Sequence, residues 1–245
     1  DRSFPYLFLE SIADCSSELA STISMLYFRG GSGSVERRLK ERMDWIIVWG
    51  GEDAVMSYKK DLPVGKTLIE HGPKCGIGIV EECEEGLAER IARDIVSWEQ
   101  RSCSSLQVLY MRKGMDDPVR EIGTELDRYP ENPLDSDQAV EVRKAREIAK
   151  MGRAFGDYDY LFSEEPLKWQ IIVTNRFELS PLGRTLYIRK YEDIEEIIRE
   201  VPKAYMQTVA ISGSPDTGRR LALAGATRIV EFGRMLSGVT GAPHD

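Results

Sequence analysis

In "FPYLFLESIADCSSELASTI" apolar side chains recur at helical intervals, which predicts a helix near the start of the chain, and the short run "SMLYF" after it predicts a strand. "RGGSGSVERRLKERM" then reads as a glycine-rich turn and a helix, with Val35, Leu39 and Met43 spaced by four. "DWIIVWGG" is a short apolar run rich in β-branched residues and closed by two glycines, the pattern of a buried parallel strand. A helix over "EDAVMSYKK", a strand over "KTLIEHG" and a further strand over "IGIV" continue the alternation. That order predicts an α/β fold of the doubly wound or a related type.

From about Glu84 to Gln100 the pattern predicts one amphipathic helix, with Leu87, Ile91, Ile95 and Trp98 on its packed face and its C-terminal end directed at Cys103. Residues 114–165 are charged and broken by prolines, with helices predicted over "PVREIGTEL" and "SDQAVEVRKAREIAKMGRAF". The α/β alternation returns with "KWQIIVT", "RTLYIRK", "EDIEEIIREV", "MQTVAIS", "PDTGRRLALAG" and "TRIVEFG", which reads as a second α/β lobe.

Composition narrows the class. The 245 residues carry 41 acidic against 33 basic side chains, a net charge of -8, and are 42% hydrophobic. That is ample for a core, and it leaves no basic footprint for nucleic acid or an anionic membrane. No apolar run approaches the roughly 18 residues of a membrane span, and no signal-peptide pattern opens the chain, so the expectation is a cytoplasmic protein. Cys15, Cys75, Cys83 and Cys103 show no CxxC spacing, and His71 and His244 are far apart, so neither a zinc site nor a disulfide framework is expected. The start at Asp1 and the end in "GVTGAPHD" read as those of a fragment.

Four places could carry chemistry. "GGSGS" at residues 30–34 and "WGGED" at 49–53 each follow a predicted strand and open a helix, where backbone N–H groups can bind phosphate. The first alone is equally compatible with a plain surface turn, but two such turns at successive strand ends, on one edge of a parallel sheet, favour a nucleotide. Glu70 in "IEHGPK" ends a strand, where a carboxylate can serve as a general base or can be merely solvated or ion-paired. Cys103 stands among serines at a helix-to-strand junction, with Arg101 close by, and is either an accessible nucleophile or an inert thiol.

Taken in order, "DWIIVWGG", "IEHGPKCGIGIV" and "QRSCSSLQ" resemble the aldehyde dehydrogenase superfamily, and more closely its LuxC-type branch of acyl-CoA (fatty acyl) reductases. The downstream "RTLYIRKYEDIEEII", "AYMQTVAISG" and "GATRIVEFGRML" are similar to the same branch. The resemblance implies that Cys103, 33 positions after Glu70, accepts an acyl group as a thioester and that Glu70 assists proton transfer. It implies that Gly50 and Gly51 lie beside the cofactor pyrophosphate, with Gly31, Ser32 and Gly33 on the same edge and Gly72 near the cofactor. Gln100 and Arg101 replace the glycine-glutamine pair of aldehyde oxidisers, and "HGPK" replaces "LGGK"; both departures favour the reductase branch.

The fold so implied is aldehyde dehydrogenase-like: residues 1–69 as part of a Rossmann-like nucleotide-binding domain, 70–236 as an α/β catalytic domain, and 237–245 as the start of a return segment. The activity implied is NADPH-dependent reduction of a fatty acyl thioester, from acyl-CoA or an acyl-protein, to the aldehyde. An acyl-transferring protein partner and a homo-oligomer go with it. An NAD(P)-dependent aldehyde oxidiser and a non-catalytic partner-binding subunit are the competing readings. His244 in "APHD" resembles a terminal motif of the family and receives no role.

Overall fold

The computed structural model describes residues 4–114, 118–130 and 134–237; His244 lies outside them. The chain divides into two compact units, Asp1–Glu70 and His71–Asp245.

In the first unit the opening helical pattern splits into α1 (Phe4–Cys15) and α2 (Ser17–Ser21). Ser16 accounts for the break: its extended backbone leaves the helix and its side chain accepts the Leu19 N–H at the start of α2. The strand expected over "SMLYF" does not form, because a strand needs a partner and the only sheet of this unit, among the described residues, is made by two other segments. Next come α3 (Gly33–Arg42), β1 (Trp45–Trp49), α4 (Glu52–Lys59) and β2 (Thr67–His71), with β1 pairing β2.

β1 is not the fully buried strand its composition suggests. Ile46 and Val48 are buried with Val55 of α4, whereas Trp45, Ile47 and Trp49 are exposed, so this sheet is covered within its unit on one face.

The second unit is built on one seven-stranded sheet. Its elements are β3 (Cys75–Val80), α5 (Leu87–Val96), β4 (Leu106–Arg112), α6 (Val119–Asp127), α7 (Ser136–Arg153) and β5 (Tyr158–Phe162). They continue with β6 (Gln170–Thr174), β7 (Thr185–Tyr191), α8 (Ile194–Glu200), β8 (Met206–Ser212), α9 (Pro215–Ala224) and β9 (Arg228–Val230). The strand order is β5-β6-β7-β4-β3-β8-β9, all parallel except β5, which runs antiparallel to β6. The strands after the charged region therefore join β3 and β4 in a single sheet. β5, hidden in that region, forms one edge of the sheet and β9 the other.

β3 is buried at every position because both faces of the sheet are covered. Cys75, Ile77 and Ile79 pack with Ala145 and Ala149 of α7, Ile194 and Ile197 of α8 and Leu221 of α9. Val80 belongs to the opposite layer with Leu87, Ile91 and Ile95 of α5 and Ile122 and Leu126 of α6. Each such aliphatic side chain contributes about 1.5–3 kcal/mol on burial. The predicted packed face of α5 thus forms with one exception. The helix ends at Val96, and Trp98 is 78% exposed, because the backbone turns left-handed at that residue.

The chain after β9 returns over β3 and is held there by Asp94 of α5, which is 2% exposed. Its carboxylate accepts the N–H groups of Gly233 (2.6 Å) and Met235 (3.1 Å). Burial outweighs these two donors and the neighbouring Arg93 and Arg228, and pushes the Asp94 carboxyl up to about 6. A carboxyl raised in the fold favours the folded state fully below its unfolded value near 4, and this contribution is lost as pH rises through about 6. Urea unfolding of the full-length protein is expected to show wild type losing about 3 kcal/mol relative to Asp94→Asn between pH 4 and pH 7. A wild-type-minus-variant difference that is flat over this range would contradict the assignment.

Candidate active site

Cys103 is an exposed free thiol on a tight turn, Ser102–Ser105, that delivers the chain into the amino end of β4. The Ser105 N–H donates to the Ser102 carbonyl (3.0 Å), the Ser102 N–H to Ser105 Oγ (3.3 Å) and the Ser104 N–H to Ser102 Oγ (3.2 Å). Thr208 of β8 adds a bond from its Oγ1 to Ser104 Oγ (3.1 Å). The serines are thus largely structural: they satisfy the turn from inside, and Ser105 is wholly buried.

Gly76, distant in sequence, and Gln100, just ahead of it, set the position of this turn. Gly76 of β3 donates its N–H to the Ser105 carbonyl (3.1 Å), and a Cβ there would stand 2.3 Å from that oxygen and 2.6 Å from the Ser104 oxygen. Backbone can come this close only where a side chain is missing. Gln100 lies on the other side, fully buried, with Nε2 donating to the carbonyls of Leu106 (2.6 Å) and Thr185 (2.8 Å) and Oε1 accepting the Thr185 N–H (3.1 Å). These bonds help offset an unfavourable backbone. Trp98 (φ 55°), Glu99 (φ 52°) and Gln100 (φ 61°) are left-handed in succession, at roughly 1–2 kcal/mol each.

The thiols divide by environment. Cys75 on β3 has no exposure, and burial pushes its thiol up to about 12, which makes it inert near neutrality. Cys103 faces solvent, and neither its thiol nor its backbone N–H has a partner among the described residues. Arg101 is ion-paired with no carboxylate among the described residues; its guanidinium donates to Gln138 Oε1 (3.1 Å) near the start of α7.

Glu70 lies in the first unit, on β2, behind Leu68, which is half-buried, and Ile69, which is exposed. Its side chain is 37% exposed and ion-paired with Lys59 Nζ at 2.9 Å. Gly50 ends β1 and packs on Ala54, and Gly51 is the N-cap of α4, a position from which no side chain caps the helix. Backbone N–H groups at that end are therefore open to an anion, although Glu52 and Asp53 in the first turn bring negative charge close by. At the other glycine turn, Gly31 is left-handed, Ser32 is the N-cap of α3 without a side-chain bond, and Gly33 begins the helix. There the Gly31 N–H already donates to Glu36 Oε1 (2.9 Å), so a protein carboxylate occupies the donor a phosphate would use. Gly72 lies in the link between β2 and β3 with open space around it.

A family model described as Acyl-CoA reductase (LuxC) matches residues 1–245. The chain belongs to the LuxC family of acyl-CoA reductases. Among LuxC relatives, the long-chain acyl-protein thioester reductase of Aliivibrio fischeri is 29% identical over 236 residues, covering 93% of this chain and 49% of its own length. Long-chain acyl-protein thioester reductase 2 of Photobacterium leiognathi is 27% identical over 241 residues, covering 95% and 50%. The chain spans about half the length of the curated relatives it matches.

The fold of this LuxC chain is that of aldehyde dehydrogenases. Aldehyde dehydrogenase 21 of Physcomitrella patens, solved with succinate, superposes with a TM-score of 0.64 at 15% identity, covering 83% of this chain and 47% of that one. A Thermus 1-pyrroline-5-carboxylate dehydrogenase with bound NAD gives a TM-score of 0.65 at 16% identity, covering 86% and 48%.

Proposed function

We propose that this chain carries the acyl-accepting cysteine of a reductase that converts a fatty acyl thioester, from acyl-CoA or an acyl-protein, to the aldehyde. The observation that carries the reading is Cys103: an exposed thiol on a turn fixed by backbone bonds, in a chain of the LuxC family. In this reading residues 1–69 belong to the nucleotide-binding domain and 70–236 to the catalytic domain.

Cys103, as thiolate, attacks the acyl carbonyl, and its own backbone N–H, unengaged among the described residues, stabilises the oxyanion that forms. Collapse breaks the bond to the donor sulfur, which leaves as a thiol after taking a proton, and the acyl group stays on Cys103. When bound, a reduced nicotinamide, NADPH by the family resemblance, would supply the hydride that reduces this thioester. The resulting tetrahedral adduct expels the cysteine sulfur, the aldehyde departs, and a proton restores the Cys103 thiol.

The uncapped start of α4 at Gly50 and Gly51 fits the pyrophosphate of such a cofactor. Gly31, Ser32 and Gly33 fit it less well, with Glu36 on the Gly31 N–H. Glu70 assists proton transfer and needs no water in the reductive direction; its carboxylate is ion-paired with Lys59.

Incubating the full-length protein with labelled long-chain acyl-CoA tests the reading. The label is expected as a thioester on the Cys103 peptide, and NADPH is then expected to release it as aldehyde. Label confined to other peptides, or release as fatty acid alone, counts against it.

A further inference from the structure

The turn that presents Cys103 is entered through three left-handed residues, and a second left-handed run faces it. Leu182 (φ 66°), Gly183 (φ 61°) and Arg184 (φ 58°) lead into β7. The two runs lock together. Arg184 Nε and Nη2 donate to Glu99 Oε2 (2.9 Å) and Oε1 (3.0 Å), a fork on a carboxylate, and Gln100 exchanges two bonds with the Thr185 backbone. Arg184 Nη1 donates in addition to the Pro130 carbonyl (2.6 Å).

Burial makes the arrangement one-sided. Arg184 is 2% exposed, so its guanidinium charge must be met by an acid. Glu99, with its side chain 39% exposed, meets it, and left-handed backbone at residues 98–100 accompanies that reach. Trp98 is 78% exposed, so little of its side chain is packed to hold φ at 55°. The conformation of that run is therefore imposed from the Arg184 side.

The geometry points to Arg184 as a positioning residue for Cys103: through its fork on Glu99 it holds the left-handed run that fixes where the thiol stands. The inference rests on the reading that Cys103 is the acyl acceptor. It goes beyond that reading because Arg184 lies 81 positions downstream and bonds to Glu99 and the Pro130 carbonyl, outside the thiol turn.

The test measures the rate and the final extent of Cys103 acylation by long-chain acyl-CoA in the full-length protein. Arg184→Lys keeps the charge and loses the fork; Glu99→Gln, at a partly exposed site, is the milder variant if the lysine protein does not fold. In the folded variant, acylation at saturating acyl-CoA is expected to slow by about 10- to 100-fold. The half-saturating concentration and the final amount of acyl-Cys103 are expected to match wild type, so an unfolded fraction cannot account for the loss. Trp98→Gly, which admits positive φ without a Cβ, is expected to restore much of the rate when added to either variant.

A folded variant that acylates at the wild-type rate overturns the positioning role alone. So does a slow variant that Trp98→Gly fails to restore. A wild-type protein that takes no acyl group on Cys103 overturns the acyl-transfer reading, and the positioning role with it.

Discussion

Cys103→Ala is expected to leave the protein folded and to lower aldehyde formation from long-chain acyl-CoA by about a thousandfold or more, with no acyl group retained on the turn peptide. The two halves of this prediction have separate causes. The Cys103 side chain is exposed, and the turn is held by serine, threonine and backbone bonds that do not involve its sulfur. Its removal should change stability by no more than about 0.5 kcal/mol. The chemistry, in contrast, has no substitute close at hand, since Cys75 is buried and its thiol is held up near 12. Thermal unfolding, acyl labelling and aldehyde assay on the same preparation check both halves. Full aldehyde formation by the alanine protein would remove Cys103 from the mechanism. Loss of fold would show that the exposed thiol has a structural role.

Gly76→Ala is expected to destabilise the full-length protein by about 4 kcal/mol or more, or to prevent its folding. Of the three atoms nearest the added carbon, two are main-chain oxygens, at 2.3 Å and 2.6 Å, and the third is Met235 Cε at 2.7 Å. The methionine could move, but the carbonyls cannot without breaking the entry of β4. The Ser105 oxygen is also the acceptor of the Gly76 N–H, so relief of the clash costs that bond as well. Gly72→Ala is the control: nothing lies within 4 Å of its added carbon, and the change should stay within about 0.5 kcal/mol. Urea unfolding of the two variants beside wild type decides the matter. Equal midpoints for Gly76→Ala and Gly72→Ala would mean that the Cys103 turn does not need this close approach.

Much of the architecture was legible in the chain because it follows from local pattern. The apolar run "IGIV" falls within β3, and the period of Leu87, Ile91 and Ile95 becomes the packed stripe of α5. The helices over "SDQAVEVRKAREIAKMGRAF" and "PDTGRRLALAG" are set by caps visible in the sequence, Asp135 for α7 and Ser214 with Pro215 for α9. The errors fall where a local signal needs a distant partner. "SMLYF" has strand composition and no strand beside it, β1 has the composition of a strand buried on both faces and is covered on one, and Tyr158–Phe162 lay hidden in a charged region until β6 paired with it. Trp98 fits the helical period, yet the helix has ended two residues earlier.

By itself, the sequence determined the family, the alternation of helices and strands, and the candidacy of Cys103, since each depends on residue types and short spacings. Tertiary structure alone decided what supports that cysteine. Gly76, Arg184, Thr185 and Thr208 lie 27 to 105 positions from it, and their roles depend on a carbonyl approach, a buried charge and side-chain or backbone bonds across parallel strands. No periodicity along the chain encodes such contacts, because a parallel sheet brings together strands separated by long crossovers. The folded chain therefore places an exposed thiol on a turn whose conformation is set from β3, β7 and β8.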